Sequence, residues 1–360
     1  MTQDAAITLT SAAAGNGPLA LEAVGLSKDF RLGHGATLHA VRDVHISLYK
    51  SAVVALVGES GSGKSTVARM LAGQDTPTAG AIRLDGEPVD VRTSRAFRRY
   101  KSQVQYVFQD PFGSLNPVHD VGYILTRPVR LHQPGNKDVP GTVTALLEQV
   151  RLTPAAQFAV KYPHELSGGQ RQRVSFARAL AARPSVLLAD EPVSMLDVSI
   201  RLEMLNLLND LRQRFRLAML YITHDIASAR YFADEILVMY AGEIVERGPA
   251  EEVTQVPAHP YTQLLVTSAP DPDNLGSALR GGGRRQGAAT AAGRSQNLDG
   301  AATQGCPFNP RCPFADDLCR REDPALTQIS DTRGAACWHL DAAAPELVSG
   351  PRGGGDTTTT

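Results

Sequence analysis

The chain is poor in cysteine, has a single tryptophan, shows no excess of either charge and lacks any long apolar run. Each shortage excludes a class of protein. Its 360 residues include four cysteines, all after position 305, and a disulfide framework supporting a whole fold needs a denser supply. With 36 Lys and Arg against 37 Asp and Glu, the formal charge is −1. That excludes the strong basic excess of proteins that coat nucleic acid, and also a long acidic or basic tail. A membrane-crossing helix needs ~20 consecutive apolar residues. The longest uninterrupted apolar stretches, Ala52–Val57, Leu217–Ile222 and Ile236–Ala241, have six residues each. Residues 1–18 carry no Lys or Arg and no apolar core of signal-peptide length. The expected compartment is the cytoplasm, and at ~150 residues per domain the expected organisation is about two domains.

From residue 19 to about 272, short apolar runs alternate with longer amphipathic stretches, the pattern of an α/β domain. Val53–Val57, Val104–Phe108, Val186–Ala189 and Met219–Ile222 are rich in β-branched residues and mostly lack polar alternation, which suits parallel strands covered on both faces. Residues 19–50 are expected to be antiparallel β, and about 94–184 a mostly helical insertion. Three segments are expected to be disordered or flexible: an arm over 1–18, a Gly/Ala/Arg/Gln/Ser-rich linker over 276–305 and a tail over 341–360. Between linker and tail lies a cysteine-bearing segment, 306–340.

Gly58-Glu59-Ser60-Gly61-Ser62-Gly63-Lys64-Ser65 fits G-x-x-x-x-G-K-[ST] at every fixed position, with an apolar strand before it and a helix-like run after it. Glycines let successive backbone N–H groups curl around phosphate oxygens, and the following helix N-terminus favours anions. Lys64 is placed to reach the β- and γ-phosphates, the Ser65 hydroxyl to ligate Mg²⁺, and Thr66 to extend the cradle into the helix. A buried strand, Val186–Ala189, ends in Asp190 and Glu191. Two solvated acids at a strand end are common; beside a phosphate loop, Asp190 is a candidate Mg²⁺ holder and Glu191 a candidate base for water.

Leu166-Ser167-Gly168-Gly169-Gln170 begins a helix-like run whose first residues form a second anion-binding helix start. Here the sequence resembles the ATP-binding subunits of ABC transporters over residues ~19–265. The resemblance implies a P-loop ATPase core with an antiparallel β part and a helical subdomain. It also implies a sandwich dimer, homo- or heteromeric, in which Ser167, Gly168, Gly169 and Gln170 of one subunit close on the nucleotide held by the other. Gln109 is similar to the family's Q-loop glutamine, which touches Mg²⁺ or water. Asp197, in Ser194-Met-Leu-Asp197, is similar to the D-loop aspartate, with Met195 where the family more often has Ala. His224 in Thr-His-Asp resembles the switch histidine on the γ-phosphate, and Phe30, 28 residues before the loop, the aromatic that stacks on adenine. Taken alone, Phe30 reads more readily as a core residue.

Phe108–Pro117, Val238–Gly248, His259-Pro-Tyr-Thr262 and Gly305–Asp316 resemble the oligopeptide/dipeptide/nickel importer group. The group's partners are two membrane permease subunits and an extracytoplasmic solute-binding protein; its cargoes are peptides, nickel chelates or oligosaccharides. Cys306, Cys312, Cys319 and Cys337 are spaced C-x5-C-x6-C-x17-C, unlike the paired C-x-x-C of zinc ribbons. Some relatives with this extension resemble [4Fe–4S] carriers, and the resemblance implies a structural [4Fe–4S] cluster on these four cysteines, with Zn²⁺ and unliganded thiols as the alternatives. Rival readings are a soluble ABC ATPase acting on nucleic acid or ribosomes, and an exporter's ATPase. Lys64 and Ser167 are 103 positions apart, too close for the long coiled coil of chromosome-maintenance relatives. Translation-factor relatives carry two cassettes, and this chain has one. The cysteine-bearing segment and the His-Pro-Tyr-Thr stretch favour an importer over an exporter.

Overall fold

The computed structural model describes residues 11, 17–33, 36–89, 93–269, 305–344 and 347. The expected arm, linker and tail lie almost wholly outside those residues. Two sheets organise the described residues. Strands β1 (Leu19–Arg31) and β2 (Thr37–Tyr49) pair antiparallel, and β1 also pairs antiparallel with β4 (Ala79–Leu84), which holds the two-residue β5 (Glu87–Pro88). The antiparallel part therefore recruits residues well past 50.

The second sheet runs, in order, Thr327–Ser330, Arg333–Ala335, Glu243–Pro249, Glu235–Tyr240, Val53–Val57, Ala218–Thr223, Val186–Asp190 and Val104–Val107. Its centre is β3 (Val53–Val57), in which every residue is buried, flanked in parallel by β8 (Ala218–Thr223) and β9 (Glu235–Tyr240). Each Val or Leu buried in this way stabilises the fold by about 1.5–3 kcal/mol. Beyond β8 come β7 (Val186–Asp190) and β6 (Val104–Val107), also parallel. The apolar runs expected as strands are thus the core of one sheet.

Helix α1 (Lys64–Leu71) follows β3 and buries Val67, Ala68, Met70 and Leu71. Between β4 and β7 the chain is mainly helical: α2 (Ser94–Gln103), α3 (Pro111–Ser114), α4 (Val121–His132), α5 (Val139–Gln149), α6 (Ala155–Ala159) and α7 (Gly168–Leu180), with β6 inserted after α2. Asp120 and Asp138 start α4 and α5 by accepting the Tyr123 and Gly141 N–H groups, each satisfying a donor that a helix start leaves unpaired.

The stretch after Asp197 is α8 (Val198–Phe215), and α9 (Ile226–Phe232) follows β8. Strand β10 (Glu243–Pro249) runs antiparallel to β9 and leads into α10 (Ala250–Gln255) and α11 (Pro260–Ser268).

The cysteine-bearing segment continues this sheet. After α12 (Asp317–Arg321), β11 (Thr327–Ser330) pairs with β12 (Arg333–Ala335), and β12 pairs antiparallel with β10; α13 (Leu340–Ala343) closes the described chain. A buried ion pair fixes the junction. Arg333 Nη2 donates to Glu246 Oε1 at 3.0 Å, and Glu246 also accepts the Ala258 and His259 N–H groups at 2.9 and 2.8 Å. Among the described residues no helix is long and apolar enough to cross a membrane.

Candidate active site

All the parallel strands end on one edge of the sheet, and their register decides which side chains meet there. Val57 lies opposite Thr223, Asp190 opposite Ile222, and Val107 opposite Ala189. Gly58, Glu191, His224 and Gln109 therefore emerge side by side, just past the strand ends. In open α/β sheets, ligands bind in this location.

The phosphate loop is sterically constrained at its first and last glycines. A Cβ on Gly58 would stand 2.2 Å from the Met239 carbonyl oxygen; Gly63, with φ +106°, would place one 2.5 Å from Ala40 O. Only glycine adopts that conformation without strain. Lys64 is buried, and its ammonium donates to Gly58 O and Glu59 O, both at 2.7 Å, and lies 3.4 Å from Ser62 Oγ. Burial lowers the Lys64 pKa, and the charges of Glu191, Asp190 and Glu59 oppose that shift. Ser65 is half-buried and Thr66 buried at the helix start, while Ser60 and Gly61 are exposed at the loop tip.

Glu191 is where the other candidates converge. Gln109 Nε2 donates to Glu191 Oε2 at 2.9 Å, and His224 Nδ1 lies 3.2 Å from Glu191 Oε1. Glu191 has φ +43°, a region a non-glycine residue occupies only when its surroundings impose it. Its N–H donates to Ile222 O at 2.9 Å, and its carbonyl accepts the Ser194 hydroxyl at 3.0 Å. Next to His224, Asp225 starts α9 by accepting the Ala227 N–H and pairs with Arg201 of α8 at 3.1 Å.

Asp190 is buried. One oxygen accepts the Tyr106 hydroxyl at 2.6 Å. The other, Oδ1, is buried without a hydrogen-bond partner, a costly state for a carboxylate that a cation relieves. Burial, then the Asp190 charge, push the Tyr106 phenol up, so it remains a donor at neutral pH. Hard oxygen donors are what Mg²⁺ selects. The Asp190 carboxylate, the Ser65 hydroxyl and the Gln109 amide oxygen fit that preference.

Ser167 starts α7, and its hydroxyl accepts the Gln170 N–H while the Gln170 side chain accepts the Ser167 N–H. Gly169 abuts Ile200, where a Cβ would sit 3.0 Å from its methyl group. Ser167 and Asp197 are exposed, and Met195 is 61% exposed. Phe30 is half-buried on β1 with the Lys28 ammonium 5.2 Å from its ring centroid, a cation–π contact on one ring face.

The four cysteines are all free thiols. The segment folds back on itself through Cys306 N–H to Cys319 O at 2.8 Å, and His339 N–H points at Cys337 Sγ at 3.4 Å. Each thiol is pushed up by burial first, Cys306 to about 11, and the charges of other cysteines contribute at Cys306, Cys319 and Cys337. A tighter group also forms: the ligand atoms of Asp316, Cys319 and His339 lie within 4.8 Å of one another. Sequence spacing alone points to neither Asp316 nor His339, nor to Tyr106.

A phosphate loop, a strand-end Asp-Glu pair and a Ser-Gly-Gly helix start on one α/β sheet define an ABC-type nucleotide-binding cassette. The ABC transporter family matches over residues 41–194, and the oligopeptide/dipeptide transporter C-terminal region over 245–319. A Sinorhizobium fredii protein named "Probable peptide ABC transporter ATP-binding protein" is 39% identical over 319 residues, covering 87% of this chain and 86% of its own. The di/tripeptide transport ATP-binding protein DppF of Pseudomonas aeruginosa is 38% identical over 319 residues, covering 88% and 94%. Among solved structures, a dimeric post-hydrolysis state of the cassette MJ0796 bound to ADP and Pi matches with a TM-score of 0.58. It is 27% identical and covers 64% of this chain and 98% of that one. The chain belongs to the ATP-hydrolysing subunits of ABC transporters, in the branch that carries the oligopeptide/dipeptide C-terminal region.

Proposed function

We propose that this chain hydrolyses ATP at the Lys64–Asp190–Glu191–His224 site to power peptide import through partner permeases. The observation that carries this is the convergence of Gln109 and His224 on Glu191 beside the phosphate loop. The peptide-transport names of the relatives support the cargo class. Mg²⁺, held by Ser65, Asp190 and Gln109, would supply charge neutralisation on the β- and γ-phosphates. Lys64 exchanges its three loop oxygens for phosphate oxygens. Glu191 orients water and accepts its proton. His224 leaves Glu191 for the γ-phosphate, so its ring sets when the base is free. The loop from Gly58 to Thr66 cradles the phosphates through amides other than the Glu59 N–H, which the Tyr261 hydroxyl holds, and Phe30 offers its remaining ring face to adenine.

Ser167, Gly168, Gly169, Gln170 and Asp197 are assigned to the partner's nucleotide in a homo- or heteromeric ATPase dimer. The exposure of Ser167 and Asp197 and the dimeric state of the MJ0796 cassette support this. Of two partner permease subunits, one is assigned to dock at the groove lined by Ser114, Asn116, His119, Tyr123, Arg127 and Arg178, about 380 Å³ in volume; it follows directly on the Gln109 loop. That docking places the chain peripherally on the inner membrane face, with a solute-binding protein on the far side and no role for nucleic acid. Reconstituted complex assayed for ATP-dependent uptake tests the cargo. Accumulation of short peptides in preference to nickel chelates and oligosaccharides is expected; uptake of only the latter two would overturn it.

Cys306, Cys312, Cys319 and Cys337 are assigned to a [4Fe–4S] cluster with a structural role. Three half-buried thiols and the buried Cys319 lie within one short segment, and Cys306, Cys319 and Cys337 feel the charges of other cysteines, which supports this. A second reading, Zn²⁺ at Asp316, Cys319 and His339, is favoured by their mutual approach. Anaerobic purification with iron and zinc analysis separates them. A brown protein with about four irons is expected, and a colourless, iron-free protein would refute the cluster.

A further inference from the structure

Glu59, the first variable residue of the phosphate loop, is gripped by groups from three parts of the chain. Its carbonyl accepts Lys64 Nζ at 2.7 Å, within the loop itself. Its N–H donates to the Tyr261 hydroxyl at 2.8 Å. Its carboxylate takes a two-pronged ion pair from Arg311, with Nη1 to Oε2 and Nη2 to Oε1 both at 2.9 Å. Arg311 lies 252 positions away, between Cys306 and Cys312, on the turn Asn309–Arg311.

The grip is backed by a packed aromatic bed. Phe308, three residues before Arg311, is buried edge-on against Tyr240 with ring centroids 5.3 Å apart, and it also meets Tyr261 at 5.6 Å. The Arg311 guanidinium stands 5.6 Å from the Phe308 centroid and 5.9 Å from that of Tyr240. An isolated surface ion pair would contribute little. This pair is bidentate, only about one-third exposed on either side, and seated on rings that fix the fork's orientation. Paired, planar geometry of this kind is what distinguishes Arg from Lys.

We propose that Arg311 is a positioning residue for ATP binding: the cysteine-bearing segment braces the phosphate loop through Glu59. The carbonyl and N–H of Glu59 belong to the same peptide framework that Lys64 and the loop amides use. Holding its side chain therefore fixes the loop in the shape that receives phosphates before the nucleotide arrives. Loss of the brace leaves every chemical group in place but costs loop ordering at the binding step, so affinity falls while saturated turnover persists. By linkage, MgATP must also steady the segment that contains Arg311.

The proposal rests on the phosphate-loop reading. It is tested on the full-length chain by equilibrium MgATP binding and by ATP turnover in the assembled complex. Arg311→Gln is expected to weaken MgATP about tenfold, with saturated turnover within about twofold of wild type. Arg311→Lys, which keeps charge but not the fork, is expected to recover only part of the loss. Glu59→Gln/Arg311→Gln should be no weaker than Glu59→Gln alone, since both remove one interaction. Hydrogen exchange of the wild type covers a variant that fails to fold: MgATP should slow exchange in 58–64 and also in 305–321. Wild-type affinity in Arg311→Gln, additive losses in the double variant, or no MgATP effect on 305–321 would each overturn the proposal. A wild type that binds no MgATP would overturn the phosphate-loop reading itself.

Discussion

Glu191 Oε2 accepts a 2.9 Å hydrogen bond from Gln109 Nε2, joining two strand ends 82 positions apart in the chain. The carboxylate has its other oxygen 3.2 Å from His224 Nδ1. A single acid, on a strained backbone, thus stands between the loop that leads to the helical insertion and the loop that follows β8. Any group that draws Gln109 or His224 away, such as a phosphate or a metal-bound water, changes what the acid can do. In the proposed mechanism Glu191 is the point through which nucleotide state and the Gln109 loop communicate.

Tyr106 should tune the metal end of the site. Its hydroxyl occupies one Asp190 oxygen and leaves Oδ1 for a cation. Partners that orient a metal-holding carboxylate are commonly worth 10–100-fold in metal affinity or activity. Tyr106→Phe is expected to raise the Mg²⁺ concentration for half-maximal ATP turnover by about tenfold. An unchanged Mg²⁺ titration would remove Tyr106 from the site.

The strand ends and their motifs were legible because each is local. Val53–Val57 and Val186–Asp190 are short apolar runs that end in chemistry, and parallel pairing then fixes their register. Gln109, Glu191 and His224 could be named from order along the chain, but their meeting at one carboxylate depends on the pairing of β6, β7 and β8. Nothing local announces Tyr106, because a tyrosine inside a strand reads as core. Arg311 reads as a basic residue in a proline-rich turn until Glu59 is brought beside it across 252 positions. The sheet extension by β11 and β12 was equally hidden, since Thr327–Ser330 and Arg333–Ala335 are too short and polar to stand out.

The buried Glu246–Arg333 pair should decide whether the C-terminal segment stays docked. Removing one partner of a buried pair leaves an uncompensated charge and costs about 3–5 kcal/mol. Glu246→Ala also strips acceptors from the Ala258 and His259 N–H groups. The expected outcome is a lower denaturation midpoint, with new protease cleavage within 305–344 before the ATPase core is cut. Wild-type protease resistance would contradict it.

His259 should make the protein acid-sensitive. Burial pushes its pKa from the ordinary 6.5 down to about 4, and its Nδ1 accepts the Tyr261 N–H at 3.0 Å, so the folded state holds it neutral. The unfolded chain binds more protons between those two values, so this contribution is present above pH 6.5 and is lost as pH falls through about 4. His259→Asn keeps an acceptor for Tyr261 and does not titrate. Denaturant unfolding should show the wild type losing up to about 3 kcal/mol relative to the variant between pH 7 and 4. Parallel pH profiles for the two proteins would contradict the assignment.

The central claim is that Glu191 performs the chemistry at a site that the rest of the chain only assembles. The direct measurement is ATP turnover and ATP binding by Glu191→Gln in the assembled complex. The glutamine keeps the shape and can still pair with Gln109, but it cannot accept a proton from water. Turnover is expected to fall by about 100-fold or more while ATP binding is retained. Wild-type turnover in that variant would contradict the account.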